Sequence, residues 1–193
     1  MKNQTGYISM KPGTLLSPTA VVMASCADGD HRPNIITLAW VGTVNSDPPM
    51  VSVSVRPERH SHGLIAASGE FVVNLVSREL MRACDLCGVK SGREMDKFAH
   101  LNLRPLPVAG SPAYLACKLR HSLELGSHTM FLGEIVGMGI REDLLNADGR
   151  IDLARADLVA YCHGEYMGLG PVEGFFGYSV ARPEVLRRRM KRK

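Results

Sequence analysis

The stretch NIITLAWVGTVNSDPPMVSVSVRPERHS, residues 34–61, decides the fold. Within it MVSVSVR (50–56) alternates strictly, with Val51, Val53 and Val55 on one face and Ser52, Ser54 and Arg56 on the other. That two-residue period belongs to a half-buried strand. The two prolines of SDPP (46–49) make a turn before it, and NIITLAWVGTV (34–44) reads as one long strand ahead of the turn. Strand follows strand here with no room for a crossover helix, so the neighbours are antiparallel.

The same rhythm continues on both sides. TAVVMASCA (19–27) is β-branched and apolar, and DGDHRP (28–33) breaks it as a turn. HSHGLIAASG (60–69) reads as a short helix with Gly69 as its C-cap, and EFVVNLV (70–76) as a strand. SRELMRACDLCG (77–88) reads as a helix capped by Ser77 and closed by Gly88. SGREMDKFAHLN (91–102) is a loop with a helical turn. AYLACKLRHSLEL (113–125) and HTMFLGEIVGMGI (128–140) form a hairpin joined at Gly126 and Ser127. DLVAYCHGEYMGLG (157–170) and GFFGYSV (174–180) complete the β part. Most strands precede another strand, so the expected class is mainly β with short helices at the rim of an antiparallel barrel.

The chain has 193 residues, 45% hydrophobic and 22% charged, in the range of one globular domain. That domain is expected over 1–181, with a basic tail over 182–193. The net charge of +4 conceals an asymmetry, because the tail alone nets +6 and the remainder −2. A nucleic-acid surface spreads its cations over a folded face. The run RRRMKRK (187–193) is terminal, so it reads as a solubilising or frayed end, with RNA or an acidic surface as the sharper alternative. No apolar run approaches the ~20 residues of a membrane span. The first residues have no apolar centre before a cleavage site, so a cytoplasmic protein is expected. Five cysteines, an odd number, suit a reducing compartment better than a disulfide framework.

Several chemistries lack their motifs. GMGIRE and GLGPVEG contain G-x-G without the third glycine of a dinucleotide turn, and there is no Walker A sequence. Neither G-x-S-x-G nor H-E-x-x-H occurs. Cys84 and Cys87 form one C-x-x-C without a second pair to complete a structural zinc, so no metal site is expected. On a helix they share a face and read first as two small buried apolar residues, with a redox dithiol as the alternative. What stands out is polar. Arg56, Arg59, His60 and Ser61 gather where a strand carrying Ser54 turns into a helix, and Asn34, Thr37 and Trp40 come from the preceding strand. Guanidinium groups, a hydroxyl and a helix N-terminus make a good phosphate site, and a flat aromatic suits a planar ligand. A polar barrel rim with one core tryptophan accounts for these residues equally well.

These segments also carry a resemblance. Residues 34–75, CGVKSGREMDKF (87–98), HTMFLGEIVGM (128–138) and YCHGEYMGLG (161–170) resemble, in order, the flavin reductase-like family and within it the flavoredoxin-type proteins. The likeness runs from about Pro18 to Gly170, and Glu94 stands where that family commonly has Asp. It implies an FMN-binding split β-barrel, a homodimer with non-covalent flavin at or near the subunit interface. Carried over by position, Asn34 and Trp40 would lie near the isoalloxazine, and Arg59, His60 and Ser61 by the phosphate and ribityl chain. Lys97 would add a cation, His128 and Tyr161 would close the pocket, and Ser54 and Arg56 would contribute contacts. Two functions follow from the resemblance. One is an enzyme passing electrons from NADH or NADPH through FMN to flavin or another acceptor. The other is a flavoredoxin-type carrier shuttling electrons between protein partners. A relay from Cys84 and Cys87 to the flavin is a remoter third.

Overall fold

A computed structural model describes residues 6–105 and 107–190. The strands are β1 (Thr19–Ala20), β2 (Val22–Ala27), β3 (Pro33–Leu38), β4 (Val41–Ser46), β5 (Pro49–Val55), β6 (Glu70–Leu75), β7 (Ala113–Glu124), β8 (Thr129–Ile140), β9 (Val159–Cys162) and β10 (Glu165–Gly168). The helices are α1 (His60–Ser68), α2 (Met81–Val89), α3 (Lys97–Leu101) and α4 (Pro183–Met190).

Seven strands form one antiparallel sheet in the order β3-β2-β6-β7-β8-β5-β4, and β1, β9 and β10 form a smaller one. The outermost strands of the large sheet, β3 and β4, are joined by only Ala39 and Trp40. A sheet whose two edges are that close in the chain must curl. Ser54 N–H donates to Trp40 O at 2.9 Å, which extends the β4–β5 ladder into that short connection. The result is a split barrel. The expected single strand over 34–44 therefore breaks at Ala39–Trp40, because its first half pairs with β2 and its second half with β5.

The two-residue period sorts side chains into two cores. Val22, Ala24 and Cys26 of β2 face the barrel interior with Val51, Val53 and Val55 of β5, Phe71, Phe131 and Ile65 of α1. The alternate residues Val21 and Met23 face outward and are buried under Cys84 and Cys87 of α2 and Phe98 of α3. β2 is thus covered on both faces, which is why its sequence is apolar without alternation. Asn74 of β6 is fully buried and satisfied. It donates to Met23 O at 3.0 Å and Ser25 Oγ at 3.1 Å, and it accepts from Val108 N–H at 2.9 Å. That side chain pins the loop before β7 to the sheet.

The hairpin falls where the turn residues place it, with Gly126 at φ +85° and Leu125 N–H on His128 O. Gly69 ends α1 in the left-handed conformation. Other expectations differ. Ser77 precedes a 3₁₀ turn (Arg78–Leu80) ahead of α2, and its buried hydroxyl has no partner among the described residues. Gly88 lies inside α2 instead of closing it, because the helix is pressed onto β3. A Cβ at Gly88 would lie 3.2 Å from Thr37 Cβ. Residues 174–180 form no strand and end in a 3₁₀ turn. Part of the tail read as frayed is the helix α4, with Arg189 over the Phe175 ring at 4.8 Å; residues 191–193 lie outside the described residues. No described helix is long and apolar enough to cross a membrane.

Candidate functional site

The seam between β3 and β4 opens beside the end of β5 and the start of α1. A cleft of about 200 Å³ lies there, and its walls include Thr37, Trp40, Ser54, Arg56, Arg59, Gly88 and His128. Each residue has a structural reason to be present. Thr37 and Trp40 come from the seam, and Ser54 from the solvent face of β5. Arg56 and Arg59 bracket the turn into α1. His128 leads into β8, which pairs with β5.

Positive charge dominates this cleft. Helix α1 has Arg59 as its N-cap residue, no side-chain cap, and no acid in its first turn. Its first amides therefore present an electropositive end. Arg59 donates through Nη2 to Gly88 O, which fixes the guanidinium across the gap to α2. Arg56 pairs with Glu58 at 3.5 Å, an exposed contact of the kind worth about 0–1 kcal/mol. Burial pushes the His128 pKa below its ordinary value, and the Arg56 cation adds to the shift.

Trp40, 39% exposed, is shared with a second cleft of about 300 Å³ lined by Leu16, Thr19, Tyr161 and His163. Tyr161 there meets Tyr166 edge-on at 5.9 Å. A third cleft, about 350 Å³, includes Asn34, His60, Gly92, Asp96 and Lys97 in its walls. Asn34 Nδ2 donates to the buried Ser61 Oγ at 2.7 Å. Gly92 closes over the pair, since a Cβ there would fall 2.1 Å from Asn34 Oδ1 and 2.9 Å from His60 Cδ2. Burial lowers the His60 pKa, with Arg93 and Lys97 acting in the same direction. Lys97 is itself buried, and its ammonium donates to Ile35 O at 2.8 Å and Cys87 O at 2.9 Å.

Of the residues singled out from sequence, Thr37, Trp40, Ser54, Arg56, Arg59 and His128 share one cleft, and Tyr161 stands on the other side of Trp40. Asn34, His60 and Lys97 line the third cleft, and Ser61 lies beneath its floor against Asn34. Two participants escaped the sequence reading. Gly88 supplies both cleft wall and acceptor, and its only signal was a glycine read as the close of a helix. His62 sits 2.9 Å from Thr129 Oγ1 with its ring 5.1 Å from that of Phe131, next to the residue that follows His128.

Cys84 and Cys87 are fully buried in the outer core, and burial pushes both thiols up to about 11. A thiol with so little thiolate at neutral pH is a poor nucleophile. At pH 7.5 a thiol reagent should label neither residue in the native chain and both once urea unfolds it. Mass mapping of labelled peptides reads the result, and rapid native labelling of either cysteine would restore the dithiol alternative.

Comparison with known proteins fits this geometry. Residues 14–170 match the family model described as "Flavin reductase like domain". The chain belongs to that family. Its structure superposes on a flavoredoxin of Desulfovibrio vulgaris (Miyazaki F) with a TM-score of 0.82 and 34% identity, covering 88% of this chain and 96% of the other. A flavin reductase (NADPH) of Lentzea aerocolonigenes is 30% identical over 62% of this chain and 72% of its own length. A high molecular weight rubredoxin of Moorella thermoacetica is 34% identical over half of this chain, which spans 45% of that longer protein.

Proposed function

We propose that this chain binds FMN non-covalently at the β3–β4 seam and works as a redox protein, taking electrons from NADH or NADPH and passing them to flavin or another acceptor. One observation carries the reading. Arg56, His128 and Arg59, the N-cap residue of α1, converge on a cleft that has the half-exposed Trp40 in its wall. The donor set fits a phosphate ester, since guanidinium groups and helix amides are its usual partners. A flat ring suits the indole. The cleft is smaller than the ~300–1,000 Å³ of an ordinary ligand pocket, and the second cleft beyond Trp40 supplies further room.

Within this reading Arg56, Arg59 and Ser54 hold the anion, and Thr37 and the Gly88 backbone form the wall beside them. Trp40 and Tyr161 orient the planar part and exclude water from it, and His128 closes the near side. Asn34, His60 and Ser61 back the site from the third cleft. When bound, the flavin supplies hydride and electron transfer, and no nucleophile or acid–base triad is asked of the chain. The described apolar residues Leu123, Leu125, Val136 and Met138 are exposed along and just beyond the β7–β8 hairpin. They support pairing with a second copy as a homodimer. Five free thiols suit a reducing compartment, so the cytoplasm is the proposed location.

The second reading is an electron carrier that keeps its FMN and serves protein partners; the 34% identity to a flavoredoxin favours it. One experiment separates the two. The purified protein is expected to be yellow and to release FMN on denaturation, and light scattering is expected to give twice the chain mass. Rapid anaerobic bleaching by NADH or NADPH then supports the enzyme. Bleaching only by a reduced redox protein supports the carrier. A colourless chain that takes up no added FMN sinks both.

A further inference from the structure

Helix α2 ends without a cap of its own. Its last backbone bond runs from Lys90 N–H to Leu86 O at 2.9 Å, and its last turn holds no basic residue. The carbonyls of Cys87 and Gly88 come next in the chain, and such orphans at a helix C-terminus need outside donors. Both find one on another element. Lys97 Nζ, at the start of α3, donates to Cys87 O and also to Ile35 O on the edge strand β3. Arg59, at the N-cap of α1, donates to Gly88 O. Two cations thus sit against the negative end of the α2 dipole.

Lys97 is the unusual member. It is 3% exposed, and it forms no ion pair among the described residues. A buried ammonium is costly unless its donors are used, and burial drives its pKa down. Its two carbonyl partners tie the end of α2 to β3. The same end carries Gly88, which lines the cationic cleft and receives Arg59. The rest of the loop is shaped to deliver the lysine. Asp96 caps α3 by accepting from Ala99 N–H at 3.0 Å, and Gly92 lets the loop close over Asn34.

We propose that Lys97 positions Arg59 from behind: by holding Cys87 O and Ile35 O it fixes the end of α2 against β3, and so fixes Gly88 O, the acceptor that aims the Arg59 guanidinium into the anion cleft. Lys97 is a positioning residue and does not touch the ligand. The inference rests on the FMN reading of that cleft. It explains why C-G and D-K-F occur ten residues apart, since both ends of the segment 87–97 meet at one carbonyl pair.

The test is a double-mutant cycle on FMN affinity, measured by quenching of flavin fluorescence in the full-length chain. Lys97→Met and Arg59→Met should each weaken FMN binding about thirtyfold, the worth of one charge-assisted hydrogen bond. The double variant should be within about twofold of Arg59→Met alone, because contacting residues in one network do not add. Full additivity would overturn the proposal, since it would mean Lys97 meets the phosphate itself. A second arm needs no flavin. In the flavin-free full-length chain, amide hydrogen exchange at the end of α2, including Lys90, should speed up at least about tenfold in Lys97→Met. Unchanged exchange there would overturn the capping role. If Lys97→Met fails to fold, Lys97→Arg takes its place in the exchange arm; it keeps the charge and should hold exchange near the wild-type rate, and fast exchange would count against the proposal. A wild-type chain that ignores FMN would sink the cofactor reading alone, while the exchange arm still decides the role of Lys97.

Discussion

Replacing Phe71 by alanine should lower the free energy of unfolding by about 3–5 kcal/mol, seen as a lower urea midpoint with an unchanged slope. The ring is 2% exposed in the barrel interior. Opposite it stands Gly133 of β8, where a Cβ would lie 2.5 Å from Phe71 Cζ and 3.0 Å from Cys117 Cβ. Gly133 therefore exists to admit the phenyl ring. Truncation leaves a hole bounded by β6, β7 and β8, whose ladders are hydrogen-bonded on both sides. Backbone held in that way cannot collapse inward, so the residual cavity is large and the penalty lies at the upper end for such changes. Against a typical total stability of about 5–15 kcal/mol, the loss is severe. A shift under about 1 kcal/mol would mean that Phe71 and Gly133 do not face each other, and the β6–β7–β8 register would be wrong.

That contact also marks the limit of what the chain displays before it is folded. The alternation of Val51, Val53 and Val55 and the glycine at the 125–128 turn are local, and both gave the right element. The break at Ala39–Trp40 is not local. Nothing in NIITLAWVGTV separates its halves by propensity, because Val41 and Thr43 favour strand as strongly as Ile35 and Ile36. The separation comes from pairing with different partners at opposite edges of the sheet. Gly88 was misread for a related reason. Its place inside α2 is set by the approach of Thr37 from another element, and tertiary packing overrides the usual reading of a glycine as a helix stop.

The site was legible where chemistry concentrates in sequence. Arg56, Arg59 and Ser54 are neighbours in the chain, so their meeting needed only one turn. Thr37 and Trp40 join them from the polar and aromatic positions of the preceding strand, and His128 was brought in by the resemblance alone. Lys97 shows the opposite case. The resemblance makes it a cation for the cofactor, and nothing in the sequence announces its acceptors, the main-chain carbonyls of Ile35 and Cys87. Carbonyl acceptors carry no side-chain signature. The partners of a buried lysine are therefore invisible until the backbone is placed.

The charge of the cleft leads to the second large effect. Replacing Arg56 and Arg59 together by alanine should weaken FMN binding about a hundredfold or more, since hydrogen bonds to charged groups are worth about 1.5–3 kcal/mol each. Riboflavin, which lacks the phosphate, should bind the variant within about threefold of the native chain. The two arginines should not contribute equally. Arg59 is held on Gly88 O and loses little freedom on meeting an anion, whereas Arg56 is more than half exposed and must first leave Glu58. Arg59→Ala is therefore expected to account for most of the loss, and rising salt to erode the Arg56 share first. Titrating both flavins against the native chain, the two single variants and the double variant checks every part of this. If riboflavin and FMN weaken together, the arginines support the ring instead of the phosphate, and the anion must be placed elsewhere. The remaining candidate would then be the third cleft, whose walls include Arg32 and His60.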